Sequence, residues 1–167
     1  SLDLSNNSAL LELNVAHSQL ESLDVSNSTS LELLDCYGNN LTSLDVSSNT
    51  ALINLNCPEN QLTALDVSNN TSLITLNCSE NQLNYLNMKN GITDALATFD
   101  AKDNALSCIE TLDPGYATAY WSYFNGNIDI GVVFLKLILR GVFFIRQIIH
   151  CLFFELIKFN DWIFRMF

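Results

Sequence analysis

The chain has 167 residues, which allows one domain with an appendage. It carries 18 acidic and 7 basic residues, but the basic ones are concentrated near the end. Residues 1–130 have 16 acidic and two basic side chains, a net charge of −14, and residues 131–167 have a net charge of +3. The acidic part argues against nucleic acid as a partner, because binding phosphates requires a basic surface.

Neither targeting nor disulfide signals locate the chain in a cell compartment. The first residues, SLDLSNNSAL, lack the basic and apolar segments of a secretory signal. Five cysteines are an odd and sparse set, unlike a disulfide framework. These counts therefore neither show nor exclude an extracellular location.

Leucine recurs along the first hundred residues with a period of 21. The clearest columns are Leu10, Leu31, Leu52 and Leu73, then Leu13, Leu34, Leu55 and Leu76. Each unit consists of two similar halves with the pattern LxxLx(L/V/C)xxN, as in LELLDCYGNN (31–40) and LTSLDVSSNTA (41–51). A fixed period of this length is typical of repeat architectures.

The half-unit pattern has a direct structural meaning. Apolar residues two positions apart face the same side of a strand, and the Leu three positions earlier returns to that side after a turn. The Asn that follows fits a tight turn, where its amide can pair with the backbone of neighbouring coils. One coil cannot bury its leucines alone, but stacked coils can. Residues 1–106 are therefore predicted to form a mainly β solenoid of roughly five coils with two parallel sheets.

A column of cysteines is predicted to face the core. It comprises Cys36, Cys57 and Cys78. Zinc requires about four converging ligands, and no His joins the column, so small apolar core residues are the better interpretation. No resident metal is expected there.

The outward strand positions form rows that are candidates for binding. The main row comprises Asp3, Asp24, Asp45, Asp66 and Asn87, and Tyr37 lies outward on the other sheet. Carboxylates about 4.8 Å apart repel one another, so the row is interpreted either as a ladder for cations or a basic partner, or as a solvated face fixed by repeat duplication. A weak Ca²⁺ site at Asp24, Asp45 and Asp66 is the one cofactor considered.

The register changes after Met88. Leu96 follows Leu73 by 23 residues, which places two extra residues in the loop KNGITDA. Residues 107–130 are predicted to close the array, because DPGYATAYW supplies Tyr and Trp large enough to cover an open end of the core.

Residues 131–167 have a different composition, rich in Phe, Ile and Leu and without Ser or Thr. Polar residues recur about every 3.6 positions, which predicts an apolar amphipathic helical tail with a break near Gly141 or at Asn160–Asp161. Membrane contact is marginal, since each Lys or Arg costs about 2.5–3.5 kcal/mol to insert. Docking on the solenoid is the alternative. A third hypothesis is that the tail arises from reading AT-rich DNA out of frame.

The repeats resemble the nested 21-residue leucine-rich repeats (IRREKO-like) of Bacteroidetes-type bacterial surface proteins, which are similar to internalins. LTALDVSNNTSL (62–73) and NCSENQLNYLNMKN (77–90) carry the resemblance most clearly. It implies an extracellular or cell-surface binding or adhesion module for a protein or glycan, without enzymatic activity. It also implies that Cys108 pairs with a later Cys, for which Cys151 is a poorly placed substitute.

Two other functions remain open. A structural spacer within a larger surface protein would use the same repeats with faces that bind nothing, and an array beginning in mid-unit suggests a longer parent chain. A carbohydrate-active enzyme is less favoured, because catalysis needs a site that differs from the repeat, and this array is uniform.

Overall fold

The computed structural model describes residues 2–122 and 125–135. In these ranges the chain forms short strands and one helix, α1 (Pro114–Tyr120). The strands are β1 (Glu12–Asn14), β2 (Leu33–Asp35), β3 (Asn54–Asn56), β4 (Ala64–Asp66), β5 (Thr75–Asn77), β6 (Tyr85–Met88), β7 (Thr98–Asp100), β8 (Cys108–Thr111) and β9 (Val133–Leu135).

The strands build two parallel sheets, which we call sheet A and sheet B. Sheet A has the order β1-β2-β3-β5-β7, and sheet B has the order β4-β6-β8-β9. Leu34 lies opposite Leu13 and Leu55, one period away on each side. Thr75 lies opposite Thr98, a step of 23 residues that accommodates the two extra residues predicted in the loop. The predicted solenoid with two parallel sheets is confirmed.

The core lies between the two sheets and consists mainly of the leucine columns. Leu34, Leu55 and Leu76 are completely buried. The cysteine column is also buried, and Cys36, Cys57 and Cys78 are free thiols. Burial raises the pKa of the Cys36 and Cys78 thiols to about 12, so both stay neutral and behave as small apolar core groups.

Buried asparagines connect successive coils at the end of sheet A. Asn60 donates from Nδ2 to the carbonyls of Cys36, Cys57 and Pro58 at 3.0–3.2 Å, and its Oδ1 accepts from the Leu41 N–H at 3.0 Å. The same pattern recurs along the column, at Asn39, Asn81 and Asn104. The predicted pairing of these amides with neighbouring backbone is confirmed.

A second asparagine column follows sheet B and is less complete. Asn49 Nδ2 donates to the carbonyls of Val25 and Ser28 at 2.9 and 2.8 Å. The Oδ1 atoms of Asn49 and Asn70 and the hydroxyl of Ser28 are buried without a hydrogen-bond partner among the described residues. Ser28 stands in this column where later coils have Asn49 and Asn70, and its side chain carries no amide to bridge the coils.

Aromatic residues cover the far end of the core. The Trp121 ring lies 4.5 Å from that of Phe99 and 6.0 Å from that of Phe134, and Trp121 is buried. Tyr120, which the sequence placed in the same role, is instead 59% exposed and stacks on Tyr116. Tyr116 and Tyr120 are four residues apart and therefore share one face of α1, whereas the buried residue of this helix is Ala117.

The solenoid continues beyond the boundary predicted at residue 130. β9 pairs with β8 in parallel, and Phe134 is buried against the core. The first part of the segment predicted as a helical tail is therefore a strand. The predicted helix itself, its break, its membrane contact and Cys151 fall on residues outside those described. Within the described ranges, no helix has the length and apolar character needed to span a membrane.

Candidate functional site

Four aspartates on the outer face of sheet B and its preceding coils form the acidic ladder, defined as Asp3, Asp24, Asp45 and Asp66. All four are exposed. Each Oδ1 accepts the backbone N–H of the Ser two residues later at 2.8–2.9 Å, and these partners are Ser5, Ser26, Ser47 and Ser68. This local turn holds each carboxylate in the same orientation on successive coils.

The same hydrogen bonds keep the ladder ionised. The backbone N–H and hydroxyl of Ser5 lower the pKa of Asp3, and the hydroxyl and N–H of Ser26 lower the pKa of Asp24. The pKa of Asp45 is lowered in the same way by Ser47, against small opposing effects that include the neighbouring aspartates. A carboxylate that accepts hydrogen bonds is favoured in its charged form.

Asp66 is the last and least exposed member of the ladder. Partial burial raises its pKa, but hydrogen bonds from Ser68 and Asn87 and the charge of Lys89 outweigh burial, so the pKa is lowered overall. Asn87 Nδ2 donates to Asp66 Oδ2 at 3.1 Å. The negative charge of the ladder is therefore partly balanced at its last member, Asp66, by the nearby Lys89.

The prediction that Asn87 lies exposed in the same row is wrong, because it is buried. Glu110 lies opposite it on β8 and accepts from Lys89 Nζ at 2.5 Å and from the Tyr85 hydroxyl at 3.4 Å. Tyr85 and Lys89 stand two residues before and after Asn87, and Glu110 joins their side chains from the neighbouring strand. Its amide is used to hold Asp66 rather than to meet a partner.

A shallow depression of about 410 Å³ lies within the ladder, between Asp45 and Asp66. Ala64 lines it and stands where the two preceding coils have Ser22 and Ser43. A group entering this depression would meet Asp45 and Asp66 together.

Tyr37 lies on the other face of the solenoid, half-buried at the end of β2. Its ring makes an edge contact with His17 at 4.4 Å between centroids, and its hydroxyl donates to Glu59 at 2.9 Å. That hydrogen bond, burial and the charges of Glu59 and Glu80 raise the pKa of Tyr37. The structure therefore separates Tyr37 from the acidic ladder, and the two do not form one site.

The described residues contain no group of three or more His, Cys, Asp or Glu side chains that could hold a metal ion. The Ca²⁺ site considered at Asp24, Asp45 and Asp66 would therefore use carboxylates of adjacent coils, each already bound to its own Ser N–H. In the described part of the chain Cys108 is a free thiol.

Two surface features are not predicted from the sequence. The position directly before each sheet A strand is apolar in several coils, and Leu11 and Ile74 are 51% and 47% exposed. The flank between the sheets carries depressions lined by polar residues such as Gln19 and Gln61. The 21-residue period is visible in both the apolar row and the polar flank. Their exposure, however, depends on side chains of neighbouring coils, which the period does not give.

No protein-family model and no curated protein matches the chain. Solved structures do. An internalin C2 from Listeria monocytogenes is 19% identical with a TM-score of 0.57, over 79% of this chain and 54% of that one. A leucine-rich-repeat protein of Leptospira interrogans is 24% identical with a TM-score of 0.58, over 72% of this chain and 37% of that one.

A third match is described as a functional domain of InlJ from Listeria monocytogenes that includes a cysteine ladder. It is 27% identical with a TM-score of 0.34, over 66% of this chain and 36% of that one. The chain thus spans from about a third to about half of the length of these structures. The internalin C2 and Leptospira likenesses show the fold, and the chain is a β-solenoid of the leucine-rich-repeat type.

Proposed function

We propose that the chain is a non-enzymatic protein-binding module of a bacterial surface or secreted protein, in which the acidic ladder meets a basic partner. A solenoid of this type offers extended rows of outward side chains that suit macromolecular partners. The resemblance of the repeats to nested 21-residue repeats of bacterial surface proteins supports the cellular location.

The repeated geometry of the ladder is the observation that carries this proposal. Asp24, Asp45 and Asp66 are fixed by equivalent hydrogen bonds on consecutive coils. Like charges about 4.8 Å apart disfavour one another, so a matching row of cationic side chains would relieve their repulsion. Charge complementarity of this kind steers association and selects partners.

The electrostatics of the ladder support binding rather than catalysis. A general acid at neutral pH needs a raised carboxyl pKa, whereas the pKa of every ladder Asp is lowered. Asp3, Asp24 and Asp45 also have nearly the same surroundings. Asn87 and Lys89, the additional partners of Asp66, lower its pKa further. No member of the ladder has the distinct environment that separates an acid from a base in a hydrolase.

The proposal is tested by measuring the affinity of a flexible synthetic peptide with Lys or Arg at every second position, whose long side chains can adjust to the spacing of the carboxylates. We expect the triple variant Asp24→Asn, Asp45→Asn and Asp66→Asn to bind at least tenfold more weakly than the parent chain. Its matched control is Glu12→Gln, Glu32→Gln and Glu80→Gln. The control removes the same charge from exposed residues elsewhere and should bind as the parent does.

Equal weakening in the two triple variants would mean that net charge alone attracts the peptide, and the ladder would lose its role. No binding by the parent chain would favour the structural spacer. The alternative hypothesis, that the ladder binds Ca²⁺, is tested separately by thermal unfolding. Identical melting curves with Ca²⁺ and with chelator would exclude it.

A further inference from the structure

A second polar surface lies on the flank where the chain passes from sheet A to sheet B. Two adjoining depressions of about 530 and 300 Å³ occupy this flank and share Glu21 and Ser22. The larger is completed by Asn40, Thr42 and Gln61, and the smaller by Ser18, Gln19 and Leu20. The surface thus extends over three successive coils, and it borders the acidic ladder at Ser22, two residues before Asp24.

Exposed carboxamides form a row through these depressions. Gln19, Asn40 and Gln61 occupy equivalent positions on consecutive coils, and all three are exposed. Their side chains make no hydrogen bond to another described residue, although the backbone N–H groups of Asn40 and Gln61 donate to the preceding coil. The row therefore keeps its side-chain donors and acceptors available to a ligand.

The residues directly before the row provide a contrast. Asn39 and Asn60 are buried, and their amides are used in bonds to the backbone of neighbouring coils. Two adjacent columns of carboxamides thus have opposite roles. One holds the coils together, and the other faces the depressions.

The chemistry of the flank selects a neutral, hydroxyl-rich ligand. A carboxamide offers an NH₂ donor and an oxygen acceptor in one plane, and hydroxyls such as that of Thr42 both donate and accept. These groups match the neighbouring hydroxyls of a sugar. The lining contains one acidic residue, Glu21, and no basic residue, so an anionic ligand finds no countercharge.

We propose that this flank binds a neutral polysaccharide chain lying along the solenoid axis. The carboxamides repeat about every 4.8 Å, close to the advance per sugar in an extended β-linked pyranose chain. Successive sugars would then meet equivalent side chains on successive coils. This function goes beyond the protein-binding proposal and uses a different surface.

The test is affinity electrophoresis and calorimetry of the full chain with soluble polysaccharides. The neutral probes are mixed-linkage β-glucan, hydroxyethyl cellulose and galactomannan, and alginate is the anionic one. We expect at least one neutral polymer, but not alginate, to bind. The double variant Asn40→Ala with Gln61→Ala should weaken this binding at least tenfold. The control Asn27→Ala removes an exposed amide from the opposite turn and should leave binding unchanged.

Circular dichroism melting curves establish that the variants fold, as expected for exposed side chains. Failure of all three neutral polymers to bind would overturn the proposal, as would full binding by the double variant. Loss of binding in the triple Asp→Asn variant of the ladder, with the flank variant unaffected, would place the sugar on the ladder and overturn it too. None of these results depends on whether a basic peptide binds.

Discussion

Asn60 and Gln61 show how neighbouring carboxamides differ in role within one turn. Asn60 makes three hydrogen bonds to carbonyls and accepts one from Leu41 N–H, all in the buried seam between coils. Gln61 is exposed one residue later. Only the first contributes to folding, because losing a buried partner leaves polar backbone groups unsatisfied.

Replacing Asn60 by Ala should therefore lower the free energy of unfolding by about 2–4 kcal/mol. Gln61→Ala should change it by less than about 0.5 kcal/mol. Urea unfolding followed by circular dichroism measures both. Equal stability of the two variants would show that the hydrogen bonds of the asparagine column do not stabilise the stacking of the coils.

Gly38 is a second residue with a specific backbone role. Its φ is +66°, and a Cβ there would collide with the His17 ring, with Cε1 only 2.7 Å away. Equivalent turn positions on later coils hold Glu59 and Glu80 at φ of 49° and 51°, so side chains are tolerated where no ring lies above. Glycine is therefore favoured at Gly38 mainly because a side chain there would meet the His17 ring.

We expect Gly38→Ala to destabilise the chain by about 1–2 kcal/mol, the cost of placing a side chain in the left-handed region. Adding His17→Ala should recover the part caused by the collision. Thermal unfolding of the single and double variants distinguishes the two contributions. A single variant as stable as the parent would show that neither the left-handed backbone conformation nor the His17 ring penalises a side chain at this position.

At the scale of the element, each turn of the acidic ladder couples a local hydrogen bond to the ionisation of its Asp. The Asp and the Ser two residues later form a closed unit in which the carboxylate must be ionised to accept its hydrogen bonds well. Folding lowers the pKa of Asp3, Asp24 and Asp45. Their contribution to stability is therefore present above the ordinary Asp pKa and is lost as pH falls through the lowered values.

Melting temperatures measured from pH 6 down to pH 3 should fall in the acid range. The variant Asp24→Asn with Asp45→Asn should lose less stability over that range, because Asn can still accept from the Ser N–H at any pH. Parallel curves for parent and variant would mean that other carboxylates control the acid response. The comparison needs only circular dichroism.

The columns and registers of these elements could be predicted because the 21-residue period reports directly which side of the chain each residue takes. Leu34, Cys57 and Asn60 are all buried as their columns indicated. The burial of Asn87 could not be predicted, since it depends on Glu110 on a neighbouring strand. The flank depressions also depend on side-chain sizes across coils, which a period alone does not reveal.

At the scale of the whole molecule, the acidity and the fold have a common origin. One Asp-bearing, Asn-rich coil is repeated, so residues 1–130 acquire a net charge of −14 together with their leucine core. The molecule therefore presents several different faces around one core. The acidic ladder, the Tyr37 face and the carboxamide flank are different rows of side chains on one solenoid, and the first is proposed to bind a basic protein.

Hydrogen–deuterium exchange of the chain with and without the alternating basic peptide tests this central claim most directly. We expect binding to slow exchange in residues 22–26, 43–47 and 64–68, which include the Ser N–H groups bonded to the ladder carboxylates. Exchange in residues 12–16 and 33–37 of the opposite sheet should stay unchanged. Slowed exchange confined to that opposite sheet, or no change anywhere in the bound chain, would contradict the account.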